Sequence, residues 1–185
     1  MQICRRFITQ ILFFLPVFTL GQESNSIEWS SGNKLTWDDY LASPPVSSDA
    51  AAITSTAIGI EYHVRNNHFA YSISCRFSKT NSWGKNRTDY ILQHEQGHFD
   101  ITEIYARKLA RELKEYKFNP KSYQDDVTRM YKRLMDEKEE YQDKYDRDTD
   151  FSRNREQQAE WLEMIKEELE RTDEFANFQS GSISI

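Results

Sequence analysis

The chain has 185 residues, with 30 acidic against 24 basic side chains, a formal net charge of −6, 38% hydrophobic residues and 2 cysteines. That acidic balance argues against nucleic acid or an anionic membrane surface as a partner, and two cysteines are too few for a disulfide scaffold. The length fits one domain with its own core.

Residues 1–21 read as a signal peptide. Arg5 and Arg6 precede an apolar run from Phe7 to Leu20, broken by Gln10 and Pro16, and Gly21 leads into the polar Gln22-Glu23-Ser24. The run is short for a membrane span, and no later stretch is apolar enough for one. An exported protein, periplasmic or extracellular and without a membrane anchor, is therefore expected. The leader takes both early arginines and Cys4 with it, so residues 22–185, read as one domain, are more acidic still and keep only Cys75.

From Ile27 to about Lys85 the composition is that of strands and turns. Ser30-Ser31-Gly32-Asn33 predicts a turn between short extended pieces around Glu28-Trp29 and Leu35-Thr36-Trp37. Ile58, Ile60, Tyr62 and Val64 alternate with small or polar residues, as do Phe69, Tyr71, Ile73, Cys75 and Phe77. An antiparallel hairpin turning at Arg65-Asn66-Asn67-His68 follows, with Cys75 a small buried hydrophobe and His63 and His68 exposed beside the turn.

Thr88 and Asp89 can cap a helix, and Ile91, Ile101, Tyr105, Leu109 and Leu113 supply its apolar stripe up to Pro120. Within it lies His94-Glu95-Gln96-Gly97-His98, the His-Glu-x-x-His pattern. On a helix the two imidazoles lie only about 40° apart in projection and can reach one Zn²⁺ ion, with Glu95 beside the metal as general base.

The third ligand of such a site is left open by the residues themselves. Glu103 lies about 180° round the helix from His94 and Asp100 about 120° round the other way, so neither turns to the same ion. Ile104 occupies the position where an extended pattern would need a third His. The ligand must come from elsewhere in the chain.

A second helix is expected from Ser122 with a stripe of Tyr123, Val127, Met130, Leu134, Tyr141 and Tyr145, up to a break around Asp146 to Asn154. It would return antiparallel along the first, since Ser122 to Tyr145 spans about 35 Å and His98 to Tyr116 only about 27 Å. A third helix carries Trp161, Ile165 and Leu169. Residues 177–185 read as a loose tail.

Four stretches, Leu35-Thr36-Trp37-Asp38-Asp39-Tyr40, Ala52-Ile53-Thr54-Ser55-Thr56, His94-Glu95-Gln96-Gly97-His98-Phe99-Asp100-Ile101 and Tyr145-Asp146-Arg147-Asp148-Thr149, resemble the bacterial family known as domain of unknown function 922. The resemblance implies a secreted, zinc-dependent, zincin-like protease. Carried over, His94 and His98 are its zinc ligands and Glu95 the catalytic acid/base; the Tyr-Asp-x-x-Thr element falls at the helix break, where the returning chain could meet the first helix, so Asp146 is the expected third ligand. Where the family pattern has a His two residues after the Thr, this chain has Phe151; if that His is the family's ligand, Asp146 or Asp150 would have to substitute for it, or the site would be degenerate.

The expected architecture is α+β and zincin-like, a small antiparallel sheet packed on a long His-Glu-x-x-His helix with two further long helices. The expected function is a zinc metallopeptidase acting on a peptide or protein substrate. A catalytically silent metal-binding domain and a helical interaction module are the alternatives.

Overall fold

A computed structural model describes residues 25–65, 68–177 and 180–184. The leader expected at residues 1–21 lies outside the described residues. Among the described residues, six strands and three long helices make an α+β fold: β1 (Ser26–Glu28), β2 (Ala52–Ile53), β3 (Thr56–Arg65), β4 (His68–Ser78), β5 (Trp83–Gly84), α1 (Asp89–Glu115), α2 (Tyr123–Asp148), α3 (Arg155–Arg171) and β6 (Gly181–Ser184).

The hairpin forms where the alternation placed it. β3 and β4 pair antiparallel from Thr56↔Phe77 to Arg65↔His68, with Phe69, Tyr71, Ile73, Cys75 and Phe77 turned inward. The other side of β4 carries Ala70, Ser72, Ser74 and Arg76, none of them buried. His63 and His68 are exposed.

β4 is the central strand. β3 occupies one edge of it, while β1 (Ser26↔Ser78 to Glu28↔Arg76) and β6 (His68↔Ser184 to Tyr71↔Gly181) share the other. β6 corrects the expectation of a loose tail: residues 181–184 pair with the start of β4, an edge that β1 is too short to cover. Gly181 is needed there, because a Cβ would stand 2.4 Å from the Tyr71 ring.

α1 is the spine of the domain. Thr88 caps it, its hydroxyl accepting from Ile91 N–H at 3.2 Å. Ile101, Ala106, Leu109 and Leu113 are fully buried, and the helix contacts β3 and β4 as well as α2 and α3. Burial therefore runs almost round the helix in its middle, beyond the single stripe expected, and takes in Glu103 and Arg107.

α2 returns antiparallel to α1. Arg133 donates to Glu112 at 2.7 Å, Gln142 to the carbonyl of His98 at 3.0 Å and Tyr145 to that of His94 at 3.3 Å, so α2 positions rise as α1 positions fall. The helix runs on to Asp148, past the expected break at Asp146. A second difference lies at Trp37–Asp39, a 3-10 turn and not an extended piece. Asp39 explains it: its carboxylate accepts from the backbone N–H and hydroxyl of Thr36, at 2.9 and 2.8 Å, the reach-back of a capping box.

Candidate metal centre

Residues 94–98 lie in the first turns of α1, so His94 and His98 stack one turn apart on the face that meets the end of α2. The last turn of α2 supplies Asp146. Its Oδ1 lies 3.1 Å from Nε2 of His94 and 3.1 Å from Nε2 of His98. The three donor atoms all lie within 4.8 Å of one another, a group that could hold a metal ion. A tetrahedral ion with bonds of about 2.0–2.1 Å has edges of about 3.3–3.4 Å, close to the two contacts that Asp146 makes.

Close packing sets this geometry. Tyr145 is fully buried, stacked on the His94 ring at 4.5 Å and edge-on to His98 at 5.1 Å, which fixes both imidazole planes. Gly97 makes that approach possible, since a Cβ there would meet the Tyr145 hydroxyl at 2.6 Å. The intervening residues of the His-Glu-x-x-His pattern are thus not free: a larger residue at 97 would push away the helix that carries Asp146.

Gln142, one turn before Asp146 on α2, orients the second histidine. Its amide nitrogen is committed to the His98 carbonyl at 3.0 Å and to Thr102 Oγ1 at 3.3 Å, so its Oε1 accepts from Nδ1–H of His98. Nε2 of His98 is then the nitrogen turned to the centre, the tautomer a metal ligand needs. Nothing in the sequence reading singled out Gln142. Its i,i+4 relation to Asp146 on the face returning to α1 was the available signal.

The protein alone leaves this cluster incompletely satisfied. Among the described residues, His94 Nδ1 is buried without a hydrogen-bond partner. One carboxylate oxygen serves two imidazoles, and Asp146 is held well below the usual carboxylate range: burial opposes this, but the hydrogen bonds and charges of His94 and His98 outweigh it. His98 is raised in turn, burial again opposing and the Asp146 carboxylate prevailing. A carboxylate oxygen shared by two imidazole nitrogens is a donor arrangement that fits a cation, whereas Nδ1 of His94 lies on the opposite edge of its ring from that centre.

Glu95 is buried and lines the same cavity as His94, His98 and Asp146, and among the described residues no group hydrogen-bonds its carboxylate. The other carboxylates of α1 are placed differently. Asp100 accepts from Trp29 Nε1 and Gln96 Nε2, both at 2.7 Å, and from Lys34 Nζ at 3.3 Å, tying the first residues of the fold to α1. Glu103 accepts from Arg107 Nε at 2.9 Å on the far side of the helix. Asp150, the alternative donor, pairs with Arg153 at 2.8 Å on the surface and does not join the cluster. Phe151 does line the cavity. Cys75 is a buried free thiol against Glu103, pushed up by burial first and by that carboxylate second.

Residues 34–153 match the family model described as "Bacterial protein of unknown function (DUF922)". Neither a curated protein nor a solved structure matches the chain.

Proposed function

Since the chain belongs to the DUF922 family of bacterial proteins, whose function is unknown, we propose an activity from the site itself: a zinc-dependent metallopeptidase that hydrolyses peptide bonds. The observation that carries this reading is the sharing of Asp146 Oδ1, at 3.1 Å, by Nε2 of His94 and of His98. Two imidazoles and one carboxylate form a three-ligand set that zinc favours, with a fourth position left for water or substrate. His94, His98 and Asp146 would hold the ion, which supplies Lewis acidity to a carbonyl and to water.

The chain's own residues do the rest. Glu95 follows His94 directly and has no competing hydrogen bond among the described residues. It takes the proton of the attacking water and returns it to the leaving amine. Tyr145 and Gln142 hold the imidazoles in place. Ala52, Ile53 and Thr54 line the same cavity, and β3, which starts at Thr56, has no partner strand on its other edge among the described residues, so an extended peptide can lie alongside its start, before Ile58, whose carbonyl accepts from Tyr131 at 2.7 Å.

The zincin-like character of the fold belongs to the same proposal, as does export, which the basic and apolar residues of positions 5–20 support. No helix among the described residues is long and apolar enough to cross a membrane. The mature protein is then a peptidase outside the cytoplasm, acting on peptides or proteins.

Glu95→Gln tests the chemistry apart from the metal. It should retain zinc, because Glu95 is not in the ligand set, and lose about 10²–10⁴ in turnover on an unfolded protein substrate. Unchanged turnover would exclude the mechanism.

A further inference from the structure

The end of α2 is more contorted than a helix end requires. Asp150 N–H donates to Arg147 O at 3.2 Å and Phe151 N–H to Asp146 O at 2.8 Å, the paired bonds of a Schellman cap, with Asp150 at φ 48° as its left-handed residue. One such residue completes the cap. Phe151 and Ser152 nonetheless also lie in the left-handed region, at φ 51° and 67°, although neither is glycine. The loop is held in this form by Asn154 N–H donating to Thr149 O at 2.8 Å and by Thr149 Oγ1 donating to Tyr145 O at 2.8 Å.

The outcome inverts the ordinary preference for burial. Ser152 is tucked in at 8% exposure, while Phe151 stands 56% exposed and lines the cavity that holds His94, Glu95, His98 and Asp146. Strained backbone that persists beside a site, and that displays an apolar ring there, points to use of that ring. Ile53, 44% exposed on β2, lines the same cavity, whereas the exposed Leu41, Val46, Val64 and Met164 do not. The Arg153 guanidinium, 5.8 Å from the centroid of the ring, is paired with Asp150 at 2.8 Å.

Building on the peptidase reading, we infer that Phe151 determines specificity, forming with Ile53 an apolar subsite for a large apolar side chain of the peptide substrate. Its backbone N–H is bonded to the carbonyl of Asp146, so the subsite adjoins the ligand cluster directly. The side chain it takes therefore belongs to a residue near the scissile bond.

The test uses matched alanine-based peptides whose central residue is Phe, Leu or Ala. Cleavage is measured with the zinc-loaded protein, and binding by calorimetry with zinc-loaded Glu95→Gln. The Phe and Leu peptides should be preferred over the Ala peptide by about 10–100-fold, and Phe151→Ala should reduce that ratio to about threefold or less, while Phe151→Leu preserves most of it. A ratio that survives Phe151→Ala overturns the inference. Phe151→Gly supplies the control for a structural role: it should melt no lower than the parent while losing the preference, and a clear fall in melting temperature would mark Phe151 as a packing residue instead. Selective binding without cleavage by the wild-type protein would sink the peptidase reading and keep the subsite. Cleavage without selectivity would do the reverse.

Discussion

Two polar clusters that α1 helps to build, within a few turns of each other, contrast in how they are satisfied. At Glu103 and Arg107 the charges are paired at 2.9 Å and the guanidinium also donates to Leu169 O at 2.7 Å, which fastens α1 to α3. At His94, His98 and Asp146 the donors converge on one another, a single oxygen serves two rings, and a buried nitrogen is left without a partner among the described residues. The first cluster has what it needs from the protein and is structural. The second is a donor set that could hold a metal ion.

The sharpest way to break this comparison is to unpair the structural cluster. Arg107→Ala leaves Glu103 buried without a counter-charge and should cost about 3–5 kcal/mol of stability, while zinc stoichiometry in the folded fraction stays unchanged. Denaturant unfolding and metal analysis on the same sample check both halves. Loss of zinc with retained stability would reverse the assignment of the two clusters.

The next effect is smaller and falls on the other side. Gln142→Ala frees the Nδ1 side of His98 and should weaken zinc by about 10–100-fold, the usual range for a residue that orients a metal ligand. Competition with a chromophoric chelator measures this. Affinity equal to wild type would show that Tyr145 packing alone fixes the ring.

The smallest effect is a pH dependence that differs between metal-free and metal-loaded protein. Burial, partly offset by Arg107, pushes Glu103 from 4.5 to about 7, and His98 is raised from 6.5, with burial opposing and Asp146 prevailing. Groups raised on folding give stability that is fully present below their unfolded values and lost as pH rises through the folded ones. Asp146, lowered from 3.8, works oppositely, its contribution being lost as pH falls. The metal-free protein should therefore melt highest in mildly acidic solution and lose stability toward pH 8. With zinc the trend should invert across the imidazole range, because the ligands bind only when deprotonated. Thermal melts with and without chelator decide it, and parallel curves would argue against a metal at this cluster.

Much of this contrast was legible beforehand. The helix carrying His94 and His98 was announced by Thr88 at its cap and by Ile101, Tyr105, Leu109 and Leu113 at helical spacing, and the hairpin by the strict alternation from Phe69 to Phe77. Glu103 and Asp100 were excluded as partners of the histidines by angle alone, and their bonds to Arg107 and to Trp29, Lys34 and Gln96 are consistent with that. What escaped depends on neighbours distant in sequence. β6 is a Gly-Ser-Ile-Ser segment with no strand signal of its own, and it pairs because β4 leaves an edge beside Tyr71. Gln142 reads as a solvated helix residue until α2 is laid against His98 and Thr102. The left-handed run at Asp150, Phe151 and Ser152 contains no glycine to announce it, and it is held by bonds back to Asp146, Arg147 and Thr149.

The central claim, that His94, His98 and Asp146 are ligands of one zinc ion, is tested most directly by calorimetric zinc titration of the metal-free chain beside its Asp146→Ala and Asp148→Ala variants. Asp148 lies two residues on at the same helix end but is bonded to Lys144 and to Trp161 Nε1. Stoichiometric binding by the wild type and by Asp148→Ala is predicted, with Asp146→Ala weakened beyond the about 100-fold that loss of a supporting residue can produce. Equal zinc affinity in Asp146→Ala and Asp148→Ala, or no stoichiometric zinc in the wild type, would contradict the account.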